Sequence, residues 1–548
     1  MSNHRSAIAR IWLIAACLAF CASGAFAQIT LPACSGSLVR FSVCEIALNT
    51  SGSYANDFTQ TSVTATFTLS GSSTQKIVSG FYDGDLVDGR GVFKIRFNAS
   101  NQGTWSYTTS SSDVGLNGRS GSFSVTGGGR GFVRRNSNNP EKFVFDNGTR
   151  YFMWGQTYYQ IVTNARVGGN WRISIDESFN RSMNKVRMLL SPFGSYPPYG
   201  GSQPFSDTSH DVLDLTHWRK FDEVVSYLNQ KPMIADVILF NDNSIAYAPP
   251  TGNASAKARD QRYVRYALAR LAAFPSVIWC LSNEWQLSPY GSDTAYWNSL
   301  GNIVRNEDPW MNQGGHQRPL SIHQKTDPLF AFFNSTWPTH AILQYGTHQS
   351  AHTLSDDWGN FSIRNNLGHG MPVVNDEYGY IGACDTSPCP QTGQIFDQTA
   401  HRQAIWGIAV AGGYGSAGDL RPINGQYPSI SADWKDEPEY VDVLRLVDFF
   451  VSRVSTWWQL SSQNSVVTSG TRVYVASQPN IRYVVYAAVG GTFMLNLPVP
   501  SGASTYRVFR YDPRSGAEVQ LSSRGSGNQT FTAPEIPDTQ DWVLRIEV

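Results

Sequence analysis

The chain has 548 residues, with 42 basic and 42 acidic side chains, and charged residues make up only 15% of it while aromatic residues make up 13%. This length exceeds what one hydrophobic core supports, so several domains are expected. The balanced charge argues against nucleic acid as a main partner. The 16 Trp and 25 Tyr favour stacking on neutral, ring-shaped ligands, or else large β-rich cores.

The first 27 residues have the features of a signal peptide. Arg5 and Arg10 give a positive start, residues 11–20 an apolar centre, and Ala25-Phe26-Ala27 a small-residue cleavage site. The apolar part is too short to span a bilayer, and no later apolar run reaches that length. We expect an exported protein, periplasmic or secreted, without membrane contact after cleavage.

Five cysteines follow this segment. In an oxidising compartment their close spacing predicts two disulfide loops, Cys34 with Cys44 and Cys384 with Cys389. Neither pair has the spacing of a zinc site and no His cluster accompanies them, so no metal or other cofactor is predicted. Cys280 lies inside an apolar run, which indicates an inert buried thiol.

Residues 28–130 alternate apolar and polar side chains, as in Ser62–Leu69, Val92–Phe97 and Gly103–Thr108. Turn residues separate these runs, and the pattern is typical of an antiparallel β-sandwich. Gly127-Gly128-Gly129 then indicates a linker.

Residues 131–455 alternate apolar strand runs with helical patterns, which predicts a parallel sheet with crossover helices. Eight strands in roughly 320 residues match an eight-stranded β/α (TIM) barrel. An open doubly wound sheet is the competitor, disfavoured because no Gly-rich phosphate turn follows the first strand. The predicted strands are Tyr151–Trp154, Lys185–Leu190, Pro232–Leu239, Val277–Leu281, Pro319–His323, Ala341–Tyr345, Met371–Asn375 and Gly412–Ser416. The predicted helices are His217–Asn229, Ala258–Ala273, Thr294–Arg305, Gln398–Val410 and Glu439–Arg453.

Residues 456–548 return to alternation, as in Arg472–Ala476, Tyr483–Ala488, Tyr506–Tyr511 and Trp542–Ile546. This pattern predicts a second β-sandwich behind the barrel.

Two of the predicted buried strands are each followed closely by a glutamate. Val277–Leu281 leads to Glu284, and Met371–Asn375 leads to Glu377. Because the carboxyl ends of barrel strands share one mouth, these distant residues can converge. Glycoside hydrolysis uses such a pair, one protonated carboxyl for the leaving oxygen and one carboxylate for the oxocarbenium-like carbon. The sequence therefore predicts a glycosidase.

Asp376 is the alternative to Glu377. Side chains alternate along a strand, so only one of the two is expected to face the mouth, and Glu377 is favoured. Arg187 could hold the nucleophile ionised or be an ion-pair partner in the core.

Further side chains are candidate sugar contacts. The Asn283 amide can donate to a hydroxyl beside the reacting carbon. His323 is either a sugar contact or a packed imidazole. Tyr345 and His348 could orient the carboxylate or bind hydroxyls. The aromatic candidates are either stacking platforms or core packing: Trp154, Tyr158, Trp285, Tyr378 and Trp434.

The barrel motifs resemble the retaining glycoside hydrolases of the large β/α-barrel clan, and within it the apiosidase-like glycosidases. Three stretches carry the resemblance: Trp154-Gly155-Gln156-Thr157-Tyr158, Trp279-Cys280-Leu281-Ser282-Asn283-Glu284 and Asn375-Asp376-Glu377-Tyr378-Gly379. The resemblance implies that Glu284 is the acid/base, that Glu377 is the nucleophile, and that configuration is retained. Gln156 is the candidate sugar contact at the first strand turn, where many relatives carry Asp.

The flanking regions have resemblances of their own. Ser79–Gly84 and Gly103–Tyr107 resemble a sandwich domain found ahead of such barrels, and Tyr511–Gly516 with Pro537–Leu544 resembles a domain named for collagen binding. A plain structural sandwich is the favoured role for this last region.

The leading hypothesis is an exported retaining glycosidase acting on a neutral poly- or oligosaccharide. A non-catalytic carbohydrate- or matrix-binding protein on a barrel scaffold is the second. A glycosidase with a different carboxylate pair is the third, favoured if Glu284 and Glu377 lie well beyond about 5.5 Å apart. The sequence leaves the sugar, its anomeric configuration, internal or terminal cleavage, and the oligomeric state open.

Overall fold

The computed structural model of the protein describes residues 29–192, 203–241, 246–313, 316–325, 329–344, 358–378, 380–381, 398–419 and 438–548. The predicted signal peptide and the predicted Cys384–Cys389 pair lie outside this range. Among the residues described, no helix is both long and apolar enough to cross a membrane.

The amino-terminal region consists of a five-stranded sheet, ordered β1-β8-β7-β3-β4, and a three-stranded sheet, ordered β2-β6-β5. Alternation drives the pairing, since Ala65, Phe67 and Leu69 of β3 are buried while their neighbours are not. The predicted Cys34–Cys44 disulfide is present. The elements are β1 (Gly36–Val39), β2 (Val43–Asn49), α1 (Asp57–Gln60), β3 (Thr64–Leu69), β4 (Gln75–Ser79), β5 (Phe81–Asp85), β6 (Gly91–Asn98), β7 (Gly103–Ser110) and β8 (Ser120–Thr126).

The middle region is an eight-stranded parallel barrel, as predicted. Its strands follow the order β18-β15-β14-β13-β12-β22-β20-β19, and a parallel bridge between His323 and Ile342 joins the two ends. The open-sheet alternative is therefore wrong. The barrel strands are β12 (Trp154–Thr157), β13 (Lys185–Leu189), β14 (Ile234–Phe240), β15 (Val277–Ser282), β18 (Leu320–Ser321), β19 (Ala341–Leu343), β20 (Val373–Asn375) and β22 (Tyr414–Asp419). Short accessory strands are β9 (Val133–Arg135), β10 (Phe143–Phe145), β11 (Arg150–Tyr151), β16 (Asn312–Gln313), β17 (His316–Gln317) and β21 (Tyr380–Ile381).

The long helices between barrel strands bury one face, and those that begin at Leu215, Ala254 and Thr294 are capped by a side chain. Asp214 accepts hydrogen bonds from the backbone of Thr216 and His217, which satisfies amides that a helix start leaves unpaired. Trp218, Phe221, Val224, Val225 and Leu228 then form the apolar stripe of α4 against the barrel. The helices are α2 (Ile161–Arg166), α3 (Trp171–Asn180), α4 (Leu215–Gln230), α5 (Ala254–Leu271), α6 (Thr294–Glu307), α7 (Trp358–Arg364), α8 (Gln398–Val410) and α9 (Pro438–Asp448), the last continued by a π-helical turn at Phe449–Arg453.

The first barrel strand starts later than predicted. Tyr151, the expected start, belongs to β11, which pairs with β10 in an antiparallel hairpin. The barrel strand is Trp154–Thr157, so its carboxyl end reaches Tyr158 and Tyr159. Apolar Phe152 and Met153 link the two strands, and their continuous apolar character concealed the break.

The carboxyl-terminal region has a six-stranded sheet, ordered β23-β25-β26-β31-β28-β29, and a three-stranded sheet, ordered β24-β27-β30. Apolar side chains from both sheets, including Val485, Phe493 and Leu544, share one core. The strands are β23 (Ser461–Ser462), β24 (Val467–Ser469), β25 (Val473–Gln478), β26 (Arg482–Ala487), β27 (Phe493–Leu497), β28 (Tyr506–Tyr511), β29 (Glu518–Arg524), β30 (Gly527–Phe531) and β31 (Trp542–Glu547), with 3-10 turns at Trp457–Gln459 and Asn464–Val466.

Buried ion pairs connect both β-rich regions to the barrel. Arg96 of β6 donates two hydrogen bonds to Asp222 of α4, at 2.8 and 2.7 Å. On the other side, Arg402 of α8 binds both carboxylate oxygens of Asp541, at 2.8 and 2.7 Å. Such pairs are geometrically specific and costly to break, so the orientation of each β-rich region on the barrel is fixed.

Candidate active site

Glu284 and Glu377 lie two residues beyond the ends of β15 and β20, at the carboxyl-terminal mouth of the barrel. Glu284 adopts a left-handed backbone conformation, with φ 39° and ψ 52°, where the strand ends and a 3-10 turn at Trp285–Leu287 begins. Such a conformation is rare outside glycine and clusters at functional sites. The turn leaves the Glu284 side chain half-buried, so it can meet a ligand in the mouth.

Glu377 is 4% exposed, and three described side chains surround its Oε2. The Tyr159 hydroxyl donates to Oε2 at 2.9 Å. Arg187 Nη1 lies 3.7 Å from the same oxygen, and His323 Nε2 lies 3.8 Å from it. A hydroxyl donor and a buried cation on the same side hold the carboxylate in one orientation.

Arg187 connects two of the other polar side chains at the mouth. Its Nη1 donates to the Tyr159 hydroxyl at 2.8 Å, and its Nη2 donates to Asn283 Oδ1. Burial opposes its charge, but Tyr159, Asp376 and Glu377 hold the pKa of Arg187 above its usual range. Because Oδ1 of Asn283 faces this cation, the amide NH₂ group of Asn283 faces away from it.

Tyr159 was not predicted from the sequence. Burial and the neighbouring Glu377 carboxylate raise the pKa of Tyr159 well above its usual value, while Arg187 acts in the opposite direction. The phenol therefore stays protonated and donates to the carboxylate. Tyr159 was missed because the first barrel strand was predicted to end at Trp154, which would place Tyr159 in a loop. In the structure β12 extends to Thr157, so Tyr159 lies at the mouth beside Arg187 of β13.

Asp376, the alternative carboxylate, lies inside the barrel. Lys185 Nζ is 2.5 Å from its Oδ1, and the Ser416 hydroxyl donates to the same oxygen at 2.7 Å. Burial alone would raise the pKa of Asp376, but Lys185 and Arg187 lower it. Asp376 is fully buried, so its environment is an interior ion pair and Glu377 is the carboxylate of the mouth.

The structure brings some of the predicted contacts to the mouth and not others. Arg187, Asn283 and His323 gather around Glu377, as described above. Gln156 Nε2 donates to the Tyr440 hydroxyl at 3.0 Å in the buried barrel wall. The Tyr158 hydroxyl lies 2.7 Å from Ser178 Oγ and 3.2 Å from the Ser174 carbonyl oxygen. These partners belong to helices α9 and α3, which surround the barrel.

The aromatic candidates are mostly packed. Trp154 stacks on Phe152, and the Tyr378 hydroxyl lies 3.2 Å from His401 Nε2. Trp285 follows Glu284, is 6% exposed and packs edge-on against Phe332. Predicted contacts Tyr345, His348 and Trp434 lie outside the described residues. Among the side chains that the structure describes, no three His, Cys, Asp or Glu groups gather as metal ligands would.

Replacing Tyr159 with phenylalanine is expected to lower kcat/KM about 10- to 100-fold, the usual range for losing a hydrogen bond to a charged group. Steady-state kinetics measure this effect. The matched control is Tyr158→Phe, whose hydroxyl binds serines of α3. Equal losses of kcat/KM in the two variants would contradict the role of Tyr159.

Comparison with known proteins gives two family matches. Residues 137–418 match the family described as "Apiosidase-like, catalytic domain". Residues 37–112 match a domain of unknown function, DUF5060. No curated protein matches the chain.

Solved structures share the fold. A candidate glycoside hydrolase from Bacteroides vulgatus ATCC 8482 superimposes with a TM-score of 0.73 at 21% identity, covering 94% of this chain and 99% of its own. A glycoside hydrolase family 5 protein from the same organism gives a TM-score of 0.60 at 14% identity, covering 76% of this chain and 93% of its own. At these identities the similarity extends to the fold alone.

Proposed function

Because the chain belongs to the apiosidase-like catalytic domain family, we propose that it is a retaining glycoside hydrolase in which Glu377 is the nucleophile and Glu284 the acid/base. The observation that carries this proposal is the surroundings of Glu377, a nearly buried carboxylate anchored by Tyr159 beside a buried arginine. The neutral, aromatic-rich chain supports a neutral carbohydrate as substrate, and the signal-like first 27 residues support export.

In the first step, Glu377 Oε1 attacks the anomeric carbon while Tyr159 holds Oε2. The glycosidic C–O bond breaks as Glu284 gives its proton to the leaving oxygen. In the second step, water attacks the anomeric carbon, the Glu284 carboxylate takes a proton from it, and the bond between the sugar and Glu377 breaks. Two inversions at one carbon give net retention of configuration.

Asn283 and Arg187 prepare this site before the substrate arrives. Arg187 fixes the orientation of Asn283 and lies beside the nucleophile. The Asn283 NH₂ group, on the side away from Arg187, can then donate to a sugar hydroxyl near the reacting carbon. Preorganised donors of this kind need no rearrangement during the reaction.

A substrate panel tests the proposal. Purified protein is incubated with plant and microbial polysaccharides and with 4-nitrophenyl glycosides of pentoses and hexoses, apiosides included, and ¹H NMR identifies the anomer that forms first. We expect cleavage of at least one substrate with the configuration retained. An inverted first product would contradict the nucleophile role of Glu377. Sugar binding without any cleavage would instead favour a non-catalytic carbohydrate-binding protein.

A further inference from the structure

A buried ring nitrogen at the mouth has no hydrogen-bond partner among the described residues. It is Nε2 of His323, a fully buried residue at the end of the fifth barrel strand. Buried polar atoms in folded proteins are nearly always paired, so an unpaired one calls for an explanation. In a mouth built to receive a ligand, a hydrogen-bonding group of that ligand is a direct explanation.

The protonation of His323 follows from its surroundings. Burial and the positive charges of Arg187 and Lys185 hold the pKa of His323 well below its ordinary value, so the imidazole is neutral. The backbone N–H of Glu284 points at Nδ1 from 3.4 Å, which makes Nδ1 the acceptor. The proton therefore resides on Nε2, and this atom is a donor.

The unpaired donor faces the nucleophile without binding it. His323 Nε2 lies 3.8 Å from Glu377 Oε2, which is too long for a direct hydrogen bond. A hydroxyl oxygen placed about 2.8 Å from both atoms can accept from Nε2–H and donate its own proton to Oε2. One hydroxyl group at that position would bridge the two side chains.

We propose that His323 determines substrate specificity by binding an unsubstituted hydroxyl on the carbon next to the anomeric carbon of the reacting sugar. This inference rests on the proposed function, in which Oε1 attacks and Oε2 is the other oxygen of the same carboxylate. With Oε1 at the anomeric carbon, the hydroxyl on the adjoining carbon is the one beside Oε2. The preferred substrate class is glycosides with a free 2-hydroxyl, and 2-O-acylated and 2-deoxy sugars are poorer substrates.

The discrimination comes from the burial of the donor. A 2-deoxy sugar would leave Nε2–H desolvated and unpaired, which is the situation that gives polar sites strong selectivity. We expect a 2-deoxy substrate to be cleaved with a kcat/KM about 100-fold below that of its parent, within the range for a lost hydrogen bond to a charged or buried group.

The test compares two variants, each of which replaces only one of the two ring nitrogens of His323 with an amide nitrogen. The His323→Gln amide reaches the position of Nε2 and can still donate there, whereas the His323→Asn amide reaches only the position of Nδ1. For each protein, kcat/KM is measured with a cleaved 4-nitrophenyl glycoside and with its 2-deoxy counterpart. His217→Leu is the control for damage at a buried histidine, because its Nε2 is bound to the Leu190 carbonyl, away from Glu377.

The 2-deoxy penalty is the factor by which kcat/KM falls when the 2-deoxy counterpart replaces the parent glycoside. We expect this penalty to be at least about 10-fold smaller in His323→Asn than in the wild type, and to persist in His323→Gln and His217→Leu. Equal penalties in the wild type and both His323 variants would overturn the inference while leaving the proposed function intact. Absence of any cleavage by the wild type would overturn the proposed function itself, so the two failures are distinguishable.

Discussion

Replacing Glu377 with glutamine is expected to lower kcat by on the order of 10⁴-fold or more, as for other covalent nucleophiles. The amide has nearly the same shape but cannot form the glycosyl–enzyme bond, while Tyr159 and Arg187 remain to hold it. Substrate affinity should therefore change little. Steady-state kinetics together with isothermal titration calorimetry separate the two effects.

The companion variant is Glu284→Gln, and the size of its loss in activity is expected to depend on the leaving group of the substrate. An activated 2,4-dinitrophenyl leaving group needs no proton, so formation of the intermediate should stay fast with it, whereas substrates with sugar leaving groups should lose about 10²- to 10⁴-fold. The Glu377 variant should be slow with every leaving group. A Glu377→Gln enzyme with near wild-type turnover would contradict the assignment of the pair.

Replacing Asp222 with asparagine is expected to destabilise the protein by about 3–5 kcal/mol, because it leaves buried guanidinium groups uncompensated. Asp222 is fully buried. It accepts two hydrogen bonds from Arg96, and Arg270 Nη2 donates to it at 2.7 Å. Differential scanning calorimetry should show a midpoint lowered by about 10 °C. The control is Glu307→Gln, which breaks an exposed pair with Arg265 and should cost within about 1 kcal/mol. Equal effects of the two variants would contradict the structural role of the buried network.

The same network predicts the sign of the pH dependence of stability. Burial alone would raise the pKa of Asp83, but Arg270 and Lys94 lower it to about 2, and Arg270 and Arg96 likewise lower that of Asp222. A carboxylate whose pKa is lowered by folding stabilises the protein above its unfolded pKa of about 4, and this contribution is lost as pH falls towards 2. Asp222→Asn should therefore lose less stability than the wild type between these pH values.

The barrel could be predicted because its strongest signals are local. Long helices such as Ala254–Leu271 and Thr294–Glu307 show a clear apolar periodicity and polar caps, and the strand before Glu284 is a continuous apolar run. The short fifth, sixth and seventh strands, of two or three residues each, were predicted too long, because buried residues continue beyond the paired segments.

The part of the site contributed by Tyr159 could not be predicted, because its position depends on where the first strand ends. Tyr158 and Tyr159 are chemically alike and adjacent, and only the register of Trp154–Thr157 against Lys185–Leu189 decides which one reaches Arg187. The buried contacts of Arg96 were equally inaccessible, since 126 residues separate Arg96 from Asp222. The alternation of charged and apolar residues within β6 does not predict that Arg96 contacts a helix of the barrel.

A covalent mechanism requires that Glu377 itself carries the sugar during turnover, and peptide mass spectrometry can identify the residue that does so. The Glu284→Gln variant is mixed with the 2,4-dinitrophenyl glycoside of a sugar released in the substrate panel, quenched in acid and digested for peptide mass spectrometry. Without its general base the variant should accumulate the intermediate. We expect a mass increase of one sugar residue at Glu377. A label at Asp376, or an unlabelled protein that releases an inverted product, would contradict the nucleophile role of Glu377.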